Sequence, residues 1–297
     1  MVAKSLYNQI RMDNLAAAHL RETVQRRRAL RGGRPLARPP RPLSTKPLER
    51  RYFVELKRIT DLLRDLTKQS LIPGLSDIVA QAKSARPVTD SLRLDDFSDE
   101  VDKIMDYIRG QFLREYSESK IIGLAVRVAE SVETFNGQQV DKAFRKVFGA
   151  DYSRFEPWLT QELKAFTKGN VSLIKSIPDQ YFEKVEGVVL RGAQAGKLSR
   201  DIASDIANQF GVTERRAALI ARDQVASFNG QLTKLRQTSV GVTKYTWSDS
   251  GDERVRPEHA ARDGKIFSWS DPPPGGHPGE DVLCRCVALP VFDETTA

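Results

Sequence analysis

Four side chains that commonly bind metals or act as nucleophiles lie close together near the C-terminus. Both cysteines of the chain and two of its three histidines fall in the last fifty residues, as His259, His277, Cys284 and Cys286. Zinc takes four ligands in a tetrahedral arrangement, and thiolate sulfur and imidazole nitrogen are common donors. The residue types therefore predict a zinc site formed by these four side chains.

The spacing of these residues leaves other interpretations open. A Cys-x-Cys pair is tighter than the usual gap between zinc ligands, and eighteen positions separate the two histidines. The site could use three of the four residues, or Asp252 in place of His277. Without a metal, the cysteines would be small buried residues of a final strand. His259 would then bond a backbone carbonyl, and His277 would lie in a solvent-exposed loop.

Catalysis by the same residues is a further alternative. His259 with Asp252 or Asp263 and a cysteine could form a nucleophile, a base and an orienting acid. No glycine-rich nucleophile turn accompanies them, and the chain has no phosphate-binding Gly-x-x-x-x-Gly-Lys-Ser/Thr loop. The chain is therefore not expected to be a packaging ATPase. A metal-dependent nuclease or transferase is the enzymatic alternative to a structural role.

Helical periodicity dominates the chain before this region. Apolar residues recur at steps of three and four from about residue 48 to 240. Gly211 is expected to end one helix, and Thr213 to cap the next. Besides a helix around 56–66, the pattern predicts helices over 4–31, 98–115, 118–133, 137–148, 156–176, 179–194, 200–210 and 213–238.

The pattern changes at about residue 240. Residues 242–247 alternate as a β-strand does, and a Ser-Asp-Ser-Gly-Asp turn follows. The remaining sequence predicts a short helix over 256–262 and strands over 265–269 and 287–291. The expected fold is α+β and mostly α-helical, with a helical N-terminal and central body and a small α+β C-terminal module. The predicted domains are 1–47, 48–170 and 171–297.

Basic charge is concentrated at the N-terminus. Residues 1–60 hold 15 Lys or Arg against four acids, a balance of +11 in a chain of +8, so the remaining residues carry −3. The first 47 residues include an arginine string without an acid, formed by Arg26, Arg27, Arg28, Arg31, Arg34, Arg38 and Arg41.

This N-terminal arm has the chemistry of a polyanion-binding segment. Arginines that neutralise phosphates release counterions, so the string predicts contact with double-stranded DNA with little sequence preference. An acidic face of a partner protein is an equal alternative, and the arm also resembles a mitochondrial transit peptide. Residues 32–47 hold five prolines and no acid, which predicts an extended, mobile linker.

The composition also indicates where the protein works. No run of about 18 apolar residues occurs, so no transmembrane helix is expected. The N-terminus lacks an apolar secretory segment, which favours a cytosolic product. Two cysteines one residue apart are unsuited to a disulfide framework, which favours a reducing environment.

Ordered motifs surround the cysteine pair. Leu219-Ile-Ala-Arg222 and Asn229 lie on a predicted long helix, and Tyr245-Thr-Trp247 forms a predicted strand. An Asp252-Glu-Arg254 turn, an Asp263-Gly264-Lys-Ile-Phe267 step, a Pro-rich loop and the closing Cys284-Arg285-Cys286 follow. Over roughly residues 170–292, this order resembles the phage Mu F-like minor head proteins, also called the phage head morphogenesis family.

One part of the chain departs from that family's pattern. Many relatives carry Cys-Pro-x-Cys after the Asp-x-Arg turn, where this chain has Arg256 and His259. Arginine stays protonated and cannot bind a metal, so His277 would have to supply the missing ligand. Alternatively, Arg256 pairs with Asp252 or Asp263 and holds the same fold without a metal.

The resemblance implies a structural virion protein and no enzymatic activity. It implies a minor capsid protein that acts in head assembly, in the capsid interior or at the portal vertex, after synthesis in the host cytoplasm. The implied partners are the portal protein, the major capsid protein or both, and no membrane. Zinc is the one cofactor that the residues predict. A DNA-binding accessory protein whose arm is its main function is a further alternative.

Overall fold

The structure is a computed structural model that describes residues 36–84, 95–149, 156–252 and 254–292, and some positions between 15 and 30. Those described positions between 15 and 30 are helical; the rest of the helix predicted over 4–31 lies outside the described residues. The helices are α1 (Lys46–Ser70), α2 (Leu75–Ser84), α3 (Asp95–Glu115), α4 (Glu118–Phe148), α5 (Leu159–Gln194), α6 (Ser199–Ser239) and α7 (Pro257–Ala260). The strands are β1 (Lys244–Ser248), β2 (Ile266–Ser268) and β3 (Val287–Pro290).

The predicted fold class is confirmed, since long helices are followed by one small sheet. The three strands are antiparallel in the order β2-β1-β3, with Tyr245 opposite Phe267 on one side and Pro290 on the other. None of the described helices is long and apolar enough to cross a membrane.

Three pairs of predicted helices are single continuous helices, α4, α5 and α6. Gly211 does not end a helix, because its backbone has no positive φ and continues α6. Thr213 does not cap one either, since its hydroxyl donates to the carbonyl of Gln209 within the same helix at 2.8 Å. Pro178 lies inside α5, whose apolar stripe continues past it through the buried Tyr181.

The chain forms two compact units, each made of separate stretches of sequence. Unit 2 consists of residues 50–127 and 167–221. Its interior holds fully buried side chains of α1 and α5, and the hydroxyl of Tyr52 donates to Asn170 Oδ1 at 2.7 Å. Because a buried polar group needs a partner, this bond fixes how the two helices align.

Unit 1 consists of residues 1–49, 128–166 and 222–297, and it contains the sheet. One apolar cluster joins α4 to the chain end through Phe144, Phe148 and Phe292. A second cluster lies on the sheet and includes both cysteines; its buried members are Tyr245, Trp247, Trp269, Cys284, Cys286 and Ala288. The sheet cluster is the setting of the candidate site.

Residues 36–44, here called the strap, run without helix or strand to the start of α1. The prediction of a mobile linker is wrong for this stretch. Leu36 packs on the Phe144 cluster, and the Arg41 guanidinium donates to the carbonyl of Asp249. The backbone N–H of Leu43 donates to Gln139 Oε1 at 2.9 Å. Proline rules out helix here, but its fixed φ suits an extended segment that packs against a surface.

Candidate metal centre

Two segments of unit 1 bring the cysteines and one histidine together. His259 lies in α7, a one-turn helix that begins with Pro257, whose fixed φ suits a first helical position. Cys284 and Cys286 precede β3, with Arg285 between them. His259 is 3% exposed, and the two cysteines are 4% and 5% exposed.

Side chains of helix α6 hold the backbone conformation of the residue before Cys284. Leu283, directly before Cys284, has a φ of 59°, a left-handed conformation that costs a non-glycine residue about 1–2 kcal/mol. Arg222 Nη2 donates to the carbonyl of Leu283 at 2.9 Å, and the N–H of Leu283 donates to Asp223 Oδ1 at 2.8 Å. Arg222, a motif residue, thus holds the strained turn. The sequence patterns did not predict this contact of Asp223. Its position next to the motif residue Arg222 was the one feature of the sequence that could have indicated it.

The donor atoms have separations that suit a thiophilic metal. His259 Nδ1 lies 3.5 Å from the sulfur of Cys284 and 3.5 Å from that of Cys286. The donor atoms of these three residues all lie within 4.8 Å of one another. Tetrahedral zinc with usual bond lengths places a sulfur and a nitrogen ligand roughly 3.6 Å apart. The two sulfur–nitrogen separations therefore match those of a zinc ion bound by the three side chains.

The outward side of the His259 ring faces an ion pair. His259 Nε2 lies 3.4 Å from Asp281 Oδ2, and Arg256 Nη1 lies 2.9 Å from the same oxygen. Arg256 Nη2 also donates to the carbonyl of Val282 at 2.8 Å. The expected pairing of Arg256 with Asp252 or Asp263 is therefore wrong. A carboxylate beside Nε2 favours the proton on that nitrogen, which leaves the Nδ1 lone pair directed at the sulfurs.

The structure does not place His277 with the other three predicted ligands. The hydroxyl of Tyr245 and His277 Nδ1 are hydrogen-bonded at 2.9 Å, and the backbone N–H of His277 donates to Glu280 Oε2 at 2.8 Å. Burial and the nearby Lys234 ammonium lower the pKa of His277, so its ring is neutral near pH 7. The described residues thus bring three of the four predicted ligands together.

Asp252 and Asp263 are also engaged away from His259. Asp252 Oδ2 lies 3.2 Å from Lys46 Nζ and 3.3 Å from Arg285 Nη1. Burial acts to raise the pKa of Asp252, but the hydrogen bonds from Lys46 and from the N–H of Arg254 lower it overall. Asp263 accepts a hydrogen bond from the N–H of Asp249 at 2.9 Å. Neither acid can orient His259 for catalysis in this arrangement.

The cysteines and His259 lie in a closed, aromatic setting. The rings of Trp247 and His259 meet edge to face at 5.2 Å, and Phe267 packs against Trp247 at 5.9 Å. A hydrogen bond from Cys286 lowers the pKa of Cys284, and the same contact raises that of Cys286. The Cys284–His259–Asp281 order also resembles a nucleophile, base and acid. However, a thiol that is 4% exposed is poorly accessible to a substrate, which favours a structural role.

Arg285 connects the cysteine pair to the first turn of α1. Its Nε lies 2.9 and 3.0 Å from the two carboxylate oxygens of Glu49, and both side chains are mostly buried. Glu49 also accepts a hydrogen bond from the hydroxyl of Thr45 at 2.7 Å. The partners are 236 positions apart, so the family motif predicts Arg285 but no local pattern predicts Glu49.

The remaining motif residues have structural contacts in unit 1. Asn136 Nδ2 donates to Asn229 Oδ1 at 3.0 Å, which joins α4 to α6. Gly264 has a φ of 75°, as its turn requires, and its N–H donates to the carbonyl of Trp247 at 2.9 Å. Each contact holds two elements together near the cysteine pair.

The arginine string divides into described and undescribed residues. Arg26 and Arg38 are exposed, Arg27 is half-buried, and Arg41 pairs with Asp249 Oδ1 at 3.2 Å. Arg28, Arg31 and Arg34 lie outside the described residues. Arg41 therefore has an anchoring contact in the strap, and the sequence alone did not distinguish it from the others.

Part of the chain that includes the cysteine pair is similar to a known protein family. Residues 183–289 match the family model described as phage Mu protein F like protein. This segment is phage Mu F-like. It contains His259, both cysteines, the whole sheet except Pro290, and Arg222. The family resemblance predicted from the sequence motifs is thereby confirmed.

One similar protein extends beyond the Mu F-like segment. An uncharacterized protein of Haemophilus influenzae (strain Rd) is 40% identical over 189 residues, which cover 61% of this chain. The chain spans 42% of the length of that relative. No solved structure matches the chain.

Proposed function

We propose that this protein is a minor capsid protein of a tailed phage that acts in head assembly near the portal. The observation that carries the proposal is the Mu F-like match over residues 183–289, since the family resemblance implies a role in head morphogenesis. The burial of the cysteine pair supports a structural rather than enzymatic role. Its partners in this proposal are the portal protein, the major capsid protein or both, and its place is the capsid interior or the portal vertex.

Fractionation of phage particles tests this role. Procapsids, mature heads and free tails would be separated on gradients and probed with an antibody to residues 1–297. We expect the chain in procapsids, or in both procapsids and mature heads, in few copies relative to the major capsid protein. Its absence from procapsids and mature heads alike would contradict the proposal.

The N-terminal arm supplies the proposed contact with double-stranded DNA. Arg26 and Arg38 are exposed, and Arg27 is half-buried, so these guanidinium groups reach solvent. Arginine binds phosphate oxygens in a bidentate manner and needs no particular base sequence. The strap fixes residues 36–44 to unit 1, so the DNA-binding part of the arm is the stretch before residue 36.

Salt dependence of DNA binding tests the arm. Removal of residues 1–35 leaves the strap in place, whereas removal of residues 1–47 would also delete packed residues. Each lost phosphate contact should reduce the slope of log K against log salt by about 0.9. A triple change of Arg26, Arg27 and Arg28 to Gln should therefore flatten the slope by about 2.7.

A matched charge change serves as the control for the arm. The exposed side chains of Lys103, Lys120 and Lys184 lie in unit 2, and their change to Gln removes the same charge. We expect this control to leave the slope nearly unchanged. An equal loss in both variants would indicate a general charge effect. An unchanged slope without residues 1–35 would leave an acidic partner protein as the target of the arm.

A further inference from the structure

We propose that His259, Cys284 and Cys286 bind one zinc ion through three protein ligands, with Asp281 and Arg256 as the residues that orient His259. The fourth coordination position is then filled from outside the chain, by water or a small thiol. The proposal rests on the geometry of unit 1 and does not depend on the role in head assembly.

The separations of the donor atoms are the first argument. Both sulfurs lie 3.5 Å from one and the same nitrogen, His259 Nδ1. A single thiol proton can satisfy that nitrogen, so a hydrogen bond accounts for one of the two contacts and not for both. A metal ion among the three atoms accounts for both contacts at once.

The donor types select the kind of metal. Two sulfurs and one imidazole nitrogen suit zinc, whereas magnesium and calcium take oxygen ligands. Both cysteines are free thiols, so no disulfide competes for the sulfurs. They are buried, which protects a bound ion from exchange and the thiols from oxidation.

The Arg256–Asp281 pair gives the site its outer support. Zinc-bound histidine usually has a carboxylate or carbonyl at its second ring nitrogen, which fixes the tautomer and ring orientation. Asp281 Oδ2 occupies that position, 3.4 Å from His259 Nε2, and Arg256 holds the carboxylate at 2.9 Å. Nothing in the sequence pattern assigned a role to Asp281.

The fourth ligand does not come from the other candidate side chains. His277 is bonded to Tyr245, and Asp252 is bonded to Lys46 and Arg285. Among the described residues, the group of donor atoms contains three members. Arg256 itself lies on the Nε2 side of the His259 ring, where it pairs with Asp281.

Metal analysis of the untagged full-length protein tests the proposal. Protein produced in zinc-supplemented medium should hold one zinc per chain after gel filtration. Replacement by cobalt should produce a thiolate-to-cobalt charge-transfer band and the visible bands of tetrahedral coordination. A wild-type protein that holds neither ion would overturn the proposal, and this measurement needs no variant to fold.

Variants then assign the ligands. Cys284→Ser and His259→Gln should lose the zinc, and His277→Gln should retain it. Asp281→Asn should retain the tetrahedral cobalt spectrum but weaken zinc binding by about 10–100-fold. Loss of zinc by a folded His277→Gln protein, or an Asp281→Asn affinity equal to wild type, would contradict the assignment.

Discussion

Close backbone contact between α6 and the loop before the cysteines depends on two glycines. A Cβ atom added at Gly230 would lie 2.7 Å from the carbonyl oxygen of Pro278 and 3.1 Å from the Cα of Gly279. Gly279 itself has a φ of 89°. Both residues lie in unit 1, beside the motif residue Asn229. The contact places the loop that leads to the cysteine pair directly against the helix.

Gly230→Ala is expected to destabilise the protein. The new methyl group meets backbone atoms that cannot rotate away, and such overpacking costs roughly 1–3 kcal/mol. Urea unfolding at fixed pH would measure the loss. Gly110→Ala is the control, since a Cβ there meets nothing within 4 Å and alanine favours a helix by roughly 0.5–1 kcal/mol. Equal stability of the Gly230→Ala protein and wild type would show that the loop can move away.

His277 is expected to make the folded protein sensitive to mild acid. Burial and Lys234 lower its pKa in the folded state below the value of about 6.5 that it has in the unfolded chain. The unfolded state therefore binds the proton more readily, and stability falls as the pH drops through about 6.5. Unfolding free energies of wild type and His277→Gln between about pH 7.5 and 5.5 would isolate this contribution. A pH dependence that is the same in both proteins would exclude it.

At the scale of elements, the Arg285–Glu49 ion pair joins the cysteine turn to α1. The side chains of Arg285 and Glu49 are 11% and 6% exposed, so neither charge is well solvated once its partner is lost. Zinc bound by the neighbouring cysteines would hold Arg285 in place, and Arg285 in turn would hold the end of the strap. The ion pair thus connects the proposed metal centre to the attachment of the N-terminal arm.

Single substitutions that break this pair should be strongly destabilising. Arg285→Ala should cost roughly 3–5 kcal/mol, because it leaves the buried Glu49 carboxylate without a cation. Glu49→Ala should cost less, because Arg285 keeps its contact with Asp252 at 3.3 Å. The double variant should cost clearly less than the sum of the two. A thermal or urea double-mutant cycle measures the coupling. Lys120→Ala, which removes an exposed pair with Glu115, is the control and should change stability by less than about 1 kcal/mol.

At the scale of the whole molecule, the Mu F-like segment depends on earlier residues for its packing. Arg236 is fully buried, and it bonds Glu133 at 2.6 Å and Glu156 at 2.7 Å. Both acids precede the segment that matches the family model. Unit 1 also contains the strap and Glu49. The segment is therefore divided between the two compact units, with residues 183–221 in unit 2 and residues 222–289 in unit 1, and it is not a unit by itself.

A fragment of residues 171–297 is therefore expected to fold poorly. It keeps the cluster of cysteines and His259 but leaves Arg236 buried without its acids, and an unpaired buried charge is costly. Circular dichroism and limited proteolysis would compare it with a fragment of residues 36–292, which retains every stretch that the structure describes from residue 36 onward. A cooperative thermal transition in the short fragment would show that residues 171–297 form an independent domain.

Local sequence patterns determined the features that depend on local physics. The 3.6-residue periodicity predicted a mostly helical chain, because an apolar stripe forms on a helix whatever it packs against. It gave the helix ends less reliably: Gly211, Thr213 and Pro178 have breaking or capping chemistry, but packing continues α5 and α6 through them. The motif order predicted the family resemblance, which the match over residues 183–289 confirmed.

The tertiary structure decided which of the scarce residues meet. From the sequence, four side chains were equivalent candidate ligands: His259, His277, Cys284 and Cys286. The fold brings His259 and the two cysteines together, whereas His277 is hydrogen-bonded to Tyr245. The fold also places Asp281 beside His259 and Glu49 beside Arg285, two contacts that the sequence did not predict. Contacts between residues 22 or 236 positions apart leave no periodic trace, because they depend on how whole elements pack. Residue type and spacing thus set the available chemistry, and the packing of α6, α7 and β3 selected the donors that meet.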